Sequence, residues 1–236
     1  MKRFDRTKTL IGNASFEILS KSSVAVFGLG GVGSYTVEAL VRSGIEKLYI
    51  FDCDRVDITN INRQIIATES TVGMLKTDAA EQRIKDINPN ATVVKNNEFL
   101  TAEIIGEMDF SKFDYVVDAV DNISAKIAIC NSAFQNKIPV ISAMGAGNRL
   151  LADFEIATIE KTSGCHLARI MRKELGIRKI SGVKACFSKS AAIDTDTKEV
   201  RNALGRPAPA SISFVPSVMG LMIAGEVVRD LIKYKI

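Results

Sequence analysis

Four apolar residues lead directly into a glycine-rich turn near the start of the chain. Residues 24–27 are Val-Ala-Val-Phe, and residues 28–34 are Gly-Leu-Gly-Gly-Val-Gly-Ser. A short run of β-branched and aromatic residues is typical of a buried parallel strand. Glycines at 28, 30 and 33 allow a tight turn and a close approach to a phosphate, and the helix predicted over 35–42 would direct its amide groups at that phosphate. The stretch therefore predicts a nucleotide-binding turn.

An acidic residue follows at the distance that such a turn requires. Asp52 comes directly after the next predicted strand, residues 47–51, and is well placed to accept hydrogen bonds from a ribose. A glycine-rich turn alone is a weak signal, because glycines also serve packing. The strand before the turn, the helix after it and Asp52 together favour a nucleotide site.

The residues after Asp52 indicate which nucleotide this is. Residues 52–64 read DCDRVDITNINRQ, and Lys76 follows. A nicotinamide dinucleotide needs only the amides of the turn and the ribose acid. The additional amides, arginine and lysine suit a triphosphate, which has more charge to neutralise. A solvated polar loop explains any one of these residues about as well, but it explains the whole set poorly.

The chain at this point resembles the ATP-dependent adenylating enzymes related to the activators of ubiquitin and of sulfur-carrier proteins. Their pattern is GxGGVGS, then DxDxV…NxNRQ, a lysine thirteen residues after the arginine, and DAxDN. Residues 28–34, 52–64, 76 and 118–122 match it in order and spacing, and the resemblance covers nearly the whole chain. It implies ATP as the nucleotide. The implied ligands of ATP are Gly28, Gly30, Gly31, Gly33, Asp52, Asp54, Asn60, Asn62, Arg63, Gln64, Lys76, Asp121 and Asn122.

The resemblance also implies catalytic roles for Arg63, Lys76 and Asp121. A carboxylate beside a triphosphate repels it unless a cation lies between them, and Mg²⁺ takes one or two carboxylates together with phosphate oxygens. We therefore expect Asp121 to bind Mg²⁺. For Asp118 two interpretations stay open, a supporting acid and a cap of the strand end or of the next helix. Asn122 is expected to cap a helix over 123–136.

An arginine near the start of the chain is the fourth expected catalytic residue. In the resembled family an arginine of the N-terminal lead reaches into the partner subunit's ATP site, and Arg6 matches that position. A solvated arginine is the alternative interpretation. If Arg6 has the family's role, the active unit is a homodimer, because an isolated subunit lacks one phosphate ligand.

Alternating strands and helices predict the fold class. Strands are expected near 92–94, 115–117, 139–142 and 154–159, and helices near 15–20, 76–87 and within 98–108. This order is typical of an α/β protein with a Rossmann-like, doubly wound and mostly parallel sheet covered by helices on both faces. Because ligands lie at the carboxyl ends of such strands, Gly28, Asp52 and residues 118–121 should converge.

We expect one domain made of three parts. Residues 1–23 form an N-terminal arm and helix, residues 24–160 the nucleotide-binding core, and residues 161–236 an acceptor-side extension with a loop and a C-terminal helix. At 236 residues the chain is long enough for a substantial core. No apolar run approaches the roughly 20 residues that span a bilayer, and the charged N-terminus lacks a signal-peptide pattern. These features predict a cytoplasmic protein without a membrane segment.

The cysteines and the net charge exclude some classes of function. The four cysteines, at positions 53, 130, 165 and 186, form no CxxC pair, which argues against a disulfide framework and a structural zinc. A net charge of +4 is too small to establish nucleic-acid binding by itself. For Cys186, an inert position in an apolar strand is favoured over a reactive thiol.

Several segments keep two interpretations. The glycine-rich loop 143–148 holds an acceptor substrate or is only a tight turn. The basic segment 168–184 contacts a phosphate backbone or is the solvated face of a helix. The long loop 188–213 is expected to fold over the substrate. The helix expected over 214–233 carries an apolar stripe that fits the core or a dimer interface. His166 is expected to be structural.

Absent motifs narrow the resemblance. Zinc-binding activators of sulfur carriers have paired CxxC motifs, and larger ubiquitin activators add a catalytic-cysteine domain, for which we see no room. The chain then looks like a tRNA threonylcarbamoyladenosine dehydratase, which implies ATP-dependent cyclisation of a modified nucleoside in tRNA. The alternatives are adenylation of a sulfur carrier's C-terminal glycine, and an NAD-dependent oxidoreductase or nucleotide sensor. A sulfur-relay protein, associated with some relatives, is a further possible partner.

Overall fold

A computed structural model describes residues 2–195 and 209–234 of the chain. Its strands are β1 Ser23–Phe27, β2 Lys47–Phe51, β3 Thr92–Asn96, β4 Tyr115–Asp118, β5 Val140–Ala143, β6 Phe154–Thr158 and β7 Lys184–Ser188. Its helices are α1 Asp5–Ile11, α2 Asn13–Lys21, α3 Gly33–Ser43, α4 Lys76–Ile87, α5 Ala102–Glu107, α6 Ile123–Gln135, α7 His166–Ile177 and α8 Phe214–Leu231.

The seven strands form one sheet in the order β3-β2-β1-β4-β5-β7-β6. Each neighbouring pair is parallel except β6 and β7, which are antiparallel at the edge of the sheet. The predicted Rossmann-like α/β fold is thereby confirmed. The carboxyl ends of six parallel strands share one edge, called the carboxyl edge below, and the opposite edge is called the amino edge.

Helices cover both faces of the sheet. The core on one face contains residues of α2, α3, α4 and α8, and the core on the other contains residues of α5, α6 and α7. Every residue of β1 is buried, as its continuous apolar sequence predicts. Helix α8 packs closely on α3, because a Cβ added to Gly220 would lie 2.4 Å from the carbonyl oxygen of Val32. Met219, Ile223 and Val227 of the apolar stripe therefore belong to the core.

One local prediction was wrong. The N-terminal lead is not only a polar arm before one helix, because it contains α1, which Gly12 separates from α2 with a φ of +83°. In the basic segment 168–184, residues 168–177 belong to α7, and Lys184 opens β7. Residues 196–208 of the expected substrate loop lie outside the described residues. The division of the chain into three parts stays a prediction.

A polar network joins α8 to the amino edge of the sheet. Tyr115 is buried at the start of β4, and its hydroxyl donates to the Asp230 carboxylate at 2.7 Å. The Lys184 ammonium, at the start of β7, donates to Glu226 at 2.6 Å and to Asp230 at 2.7 Å. Burial and the neighbouring carboxylate of Asp230 raise the pKa of Tyr115, so the phenol stays a hydrogen-bond donor. None of the described helices is both long enough and apolar enough to cross a membrane.

We predict that Tyr115→Phe lowers the free energy of unfolding by about 1.5–3 kcal/mol, because the variant loses a buried hydrogen bond to a charged group. Tyr49→Phe in β2 is the matched control, since the Tyr49 hydroxyl has no hydrogen-bond partner within residues 2–195 and 209–234. Urea unfolding measures both variants. Equal losses of stability would contradict the proposed role of the network.

Candidate functional site

The glycine turn, Asp52 and the turn after β4 meet at the carboxyl edge, as predicted. The Gly28 amide donates to the Phe51 carbonyl at 2.8 Å, and the Ala119 amide donates to the Phe27 carbonyl at 2.8 Å. Gly28 has a φ of +89°, and a Cβ added there would lie 2.7 Å from the Ala119 carbonyl oxygen. The turn after β1 and the turn after β4 therefore touch each other through their backbones.

The four glycines of the turn differ in what surrounds them. A Cβ at Gly33 would lie 1.8 Å from the Gly28 carbonyl oxygen, and one at Gly31 would lie 3.1 Å from the Pro216 side chain. A Cβ at Gly30 would meet no atom within 4 Å. Gly28 and Gly33 thus allow close packing of the backbone, and Gly31 leaves space for the Pro216 side chain. Gly30 borders open space at the start of α3, where a phosphate can approach the backbone.

Asp52 joins the glycine turn to the segment that follows β2. Its carboxylate accepts from the Leu29 amide at 2.7 Å and from the Asp54 amide at 2.9 Å. Burial raises the pKa of Asp52, and the Lys76 ammonium and these amide hydrogen bonds oppose that shift. A carboxylate has about four acceptor positions, so acceptor capacity is left for the hydroxyls of a ribose.

Lys76 is held between two carboxylates at the start of α4. Its ammonium lies 2.7 Å from the Asp54 carboxylate and 3.7 Å from that of Asp52, and its side chain is only 8% exposed. A cation at a helix N-terminus is unfavourable by itself because the dipole is positive there. The two acids offset that cost and hold the ammonium near Asp52, which accepts from the Leu29 amide of the glycine turn.

The segment around Arg63 packs against the start of α3, where the Ile65 amide lies 3.4 Å from the Ser34 hydroxyl. Arg63 donates to the Thr59 carbonyl at 2.9 Å and to the Asn62 side chain at 3.0 Å. Burial lowers the pKa of Arg63, but a guanidinium stays protonated in proteins. This half-buried cation is therefore fixed close to the glycine turn.

The three predicted amides of this segment have different surroundings. Asn60 is buried, and its side-chain oxygen accepts from the Asp57 amide at 3.1 Å in a capping box. Asn62 donates to the Ser211 carbonyl at 3.0 Å. Gln64 is buried and its Oε1 has no hydrogen-bond partner within residues 2–195 and 209–234. Asn60 and Asn62 thus have structural roles that the sequence did not reveal.

The turn after β4 separates two acids that the sequence places close together. Asp118 is fully buried and accepts from the Ser142 hydroxyl at 2.5 Å. Asp121 is exposed at the carboxyl edge. Asn122 caps α6, as predicted, because its side chain accepts from the Ala125 amide at 3.0 Å. Asp118 therefore supports the turn, and Asp121 is the acid that a ligand can reach.

Lys126 is the important residue that sequence reasoning missed. It is fully buried, and its ammonium lies 3.0 Å from the Asp118 carboxylate. It also donates to the carbonyls of Val120 at 3.1 Å and Ala143 at 2.7 Å. One ammonium thus connects the turn that carries Asp121 to the end of β5. A signal existed in the sequence, because Lys126 shares an i, i+3, i+4, i+7 stripe with residues 129, 130 and 133.

The loop after β5 is joined by hydrogen bonds to both described ends of the long loop. Asn148 has a φ of +56°, its amide donates to the Ala210 carbonyl, and its side chain accepts from the Ala210 amide, both at 2.7 Å. The Asn148 carbonyl accepts from the Ile193 amide at 2.7 Å. Arg149 donates to the Ser188 hydroxyl at 2.9 Å, which links the loop to β7. The described ends of the long loop thus meet at the carboxyl edge.

Two other predicted candidates lie outside this cluster. Arg6 is exposed in α1, where it lines a surface cavity with Leu10, Leu221 and Val228. The structure does not bring it together with Lys76 or the other expected ATP ligands of the same subunit. Cys186 is fully buried in β7, and burial raises its pKa to about 12. Such a thiol is inert, which confirms the interpretation of Cys186 as core.

The carboxyl edge combines what a polyphosphate site requires. It has a glycine turn open at Gly30, the start of a helix, and two cations, Arg63 and Lys76, whose positions are fixed by hydrogen bonds. Across the described part of the chain, no group of three metal-binding side chains occurs. Asp121, the expected Mg²⁺ ligand, is exposed at this edge, and Mg²⁺ needs only one or two carboxylates when phosphate oxygens complete its shell.

Comparisons with known proteins agree with this geometry. A family model described as the ThiF family matches residues 4–236. The tRNA threonylcarbamoyladenosine dehydratase of Bacillus subtilis is 41% identical, over 99% of this chain and 96% of that protein. The crystal structure of the Escherichia coli dehydratase TcdA with ATP has a TM-score of 0.88 and 29% identity, over 98% of this chain and 94% of that one. Its complex with AMP also has a TM-score of 0.88, with 28% identity and the same coverage of both chains.

We predict that Gly30→Ala weakens nucleotide binding at least tenfold, about 1.4 kcal/mol, while the free energy of unfolding changes by no more than about 0.5 kcal/mol. The added methyl group enters space that a phosphate would occupy. Gly33→Ala is the contrasting variant, and overpacking should destabilise it by about 3 kcal/mol or more. Calorimetry with ATP and urea unfolding give the two readouts. If Gly30→Ala binds ATP with unchanged affinity, the phosphates do not bind at this turn.

We predict that Lys126→Met destabilises the protein by about 3–5 kcal/mol, because Asp118 is left as a buried charge without its partner. The double variant Asp118→Asn/Lys126→Met should recover most of this loss, since both charges are then absent. Urea unfolding of the two single variants and the double variant measures the coupling. Additive losses would show that the ion pair does not determine the stability of this turn.

Proposed function

The chain belongs to the ThiF family, and we propose from this premise that it is an ATP-dependent enzyme that dehydrates threonylcarbamoyladenosine in tRNA. Relatives of that name align over nearly the whole chain, and the related TcdA has been solved with ATP and with AMP. The observation that carries the proposal is the junction of an open glycine turn with Arg63 and Lys76 at the carboxyl edge.

The nucleotide fits this edge through residues whose hydrogen bonds already position them. The backbone at Gly30 and the start of α3 would face the phosphates, and Asp52 would accept from the ribose with its remaining acceptor capacity. Lys76, now paired with Asp54, would turn its ammonium to the phosphates. Gln64 offers an orphaned buried oxygen next to Arg63, which a ligand donor would satisfy.

The reaction requires a better leaving group than a carboxylate oxygen. In the proposed sequence, the threonyl carboxylate attacks the α-phosphorus of ATP and displaces pyrophosphate. The carbamoyl group of the same nucleoside then attacks the activated carbonyl carbon, loses a proton and displaces AMP. The nucleoside loses one water in total, and ATP becomes AMP and pyrophosphate. The second step is intramolecular, so proximity supplies much of its rate.

Arg63 and Lys76 would act on the first step. Negative charge moves onto the departing pyrophosphate, and two fixed cations stabilise it without reorganising at the moment of reaction. Asp121 would hold Mg²⁺, which neutralises phosphate charge when it is bound. Asp118 has no part in that ligation, because Lys126 and Ser142 already occupy its buried carboxylate.

The proposed active unit is a homodimer. Leu10 and Leu221 expose 85% and 48% of their surface on the face that also carries Arg6. A second subunit covering this face would bury those leucines and bring Arg6 to the partner's phosphates, as the resemblance implies. We also propose a cytoplasmic location, where a tRNA substrate is available.

The first test uses ATP, Mg²⁺ and tRNA that carries threonylcarbamoyladenosine. We expect the nucleoside to lose the mass of one water, in a reaction that needs both ATP and the protein. Digestion and mass spectrometry measure the loss. Success with the purified protein alone would show that no sulfur-relay partner is required. ATP–pyrophosphate exchange that depends on a sulfur-carrier protein, with intact tRNA, would favour the alternative acceptor, and NAD binding without ATP binding would overturn adenylation.

In the same assay we expect Lys76→Ala to lower the rate by about 10²–10³, which is the size of effect seen when one charge-stabilising donor is removed from a site. Lys85→Ala, near the other end of α4, is the control and should retain the rate. Circular dichroism checks that both variants are folded. If a folded Lys76→Ala enzyme keeps full ATP turnover, Lys76 does not stabilise the departing pyrophosphate.

We expect Asp121→Asn to raise the Mg²⁺ concentration needed for half-maximal rate at least tenfold, because a neutral amide is a weaker ligand for this hard cation. Glu107→Gln, an exposed acid in α5, is the control. A magnesium titration of the dehydration rate at saturating ATP gives the readout. Identical magnesium curves for Asp121→Asn and the unaltered enzyme would assign the metal to other ligands.

A further inference from the structure

Positive charge is concentrated in one segment of the chain. Residues 161–184 contain seven lysines and arginines and one glutamate, a net charge of +6, whereas the whole chain has +4. The remainder of the chain is therefore slightly acidic. A mild overall charge conceals a strongly basic region, which is the electrostatic property that nucleic-acid binding requires.

Contacts within the protein neutralise only part of this charge. Arg178 pairs with Glu174 at 2.7 Å, and Lys184 pairs with Glu226 and Asp230 of α8. The other five basic residues of the segment have no carboxylate within 4 Å among residues 2–195 and 209–234. They are Lys161, Arg169, Arg172, Lys173 and Lys179. Arg172 is turned inward, since it donates to the Thr162 carbonyl at 2.7 Å.

Two of the remaining cations lie on the outer face of α7. The buried residues Ala168, Met171 and Leu175 face the core, and Arg169 and Lys173 are exposed. Positions i and i+4 of a helix lie on the same face, with Cβ atoms about 5–6 Å apart. These two charges are therefore neighbours, and Lys179 extends the basic surface beyond the end of α7.

The start of this face lies at the carboxyl edge, beside the proposed active site. A Cβ added to Gly164, just before α7, would lie 2.5 Å from the Lys189 carbonyl oxygen, and Lys189 directly follows β7. β7 pairs in parallel with β5, and β5 leads into the loop that contains Asn148. Arg169 is in the first turn of α7, where its guanidinium lies 2.9 Å from the His166 ring.

We infer that the outer face of α7, formed by Arg169 and Lys173 and extended by Lys179, binds the phosphate backbone of the tRNA whose modified nucleoside enters the carboxyl edge. The inference rests on the proposed dehydratase function. The composition favours RNA over an acidic protein partner, because residues 166–180 contain no Phe, Tyr or Trp. Protein interfaces usually centre on such aromatic anchors and are depleted in lysine.

Arg169→Gln/Lys173→Gln in the full-length protein tests this surface. Equilibrium binding of tRNA is measured by fluorescence anisotropy at several KCl concentrations, and ATP binding is measured separately by calorimetry. Each lost phosphate contact lowers the slope of log K against log salt by about 0.7–0.9. The double variant should therefore bind tRNA more weakly, with a slope smaller by about 1.4–1.8, and should bind ATP normally.

Two further variants separate this surface from general charge. Lys21→Gln/Lys112→Gln removes the same charge from exposed lysines, 75% and 59% exposed, that precede β1 and β4 at the amino edge. It should leave the salt slope unchanged. Arg169→Lys/Lys173→Arg keeps both charges and should bind tRNA nearly as well as the unaltered protein.

Several results would overturn the inference. Equal losses in the α7 variant and the amino-edge control would mean that tRNA senses only net charge. Unchanged tRNA binding in the α7 variant, together with normal dehydration by the unaltered enzyme, would reject this surface and leave the proposed function standing. If the unaltered protein neither binds tRNA nor dehydrates the nucleoside, both the inference and the proposed function are rejected. Loss of binding to an acidic carrier protein, with tRNA binding intact, would assign the face to a protein partner.

Discussion

The close approach of three backbone segments at the carboxyl edge is the constraint on which the site depends. The turn after β1 lies so near the start of α3 that Gly33 has no space for a Cβ, and so near the turn after β4 that Gly28 has none either. Helix α8 presses on α3 through Gly220. A side chain at Gly28 would push the glycine turn away from the turn that carries Asp121. Glycine packing therefore determines how closely the nucleotide and the acid can lie.

Two lysines of the site have carboxylate partners, and the two ion pairs differ in burial and in position. Lys126 and Asp118 form a fully buried pair that joins the ends of β4 and β5, and nothing in their positions requires a ligand. Lys76 lies between Asp52 and Asp54 at the rim, where a more negative ligand can compete for its ammonium. Burial of a charge is unfavourable unless it is paired. One pair thus joins two strand ends, and the other holds a cation at the rim of the proposed nucleotide site.

Much of the fold and of the candidate site was predictable from the sequence, because the strands, the helices and the glycine turn follow from local sequence patterns. Alternating buried strands and helices, with an acid after each of two strands, are enough to place Gly28, Asp52 and Asp121 at one edge of the sheet. The rest depends on contacts far apart in the sequence. Lys126 reaches the end of β5, and Lys184 pairs with α8, so a basic pattern alone cannot show which charges are neutralised. Composition also cannot show that the Asn60 side chain takes part in a capping box.

The proposed reaction at this edge activates a carboxylate by transferring the adenylyl group of ATP to it. The most direct measurement uses tRNA whose threonyl carboxylate is labelled with oxygen-18, in a single turnover with ATP, followed by mass spectrometry of the products. Adenylation predicts that AMP acquires one labelled oxygen from the carboxylate, because that oxygen leaves with the phosphorus. Two results would contradict adenylation of the carboxylate. One is labelled inorganic phosphate formed together with ADP, and the other is unlabelled AMP formed together with the dehydrated nucleoside.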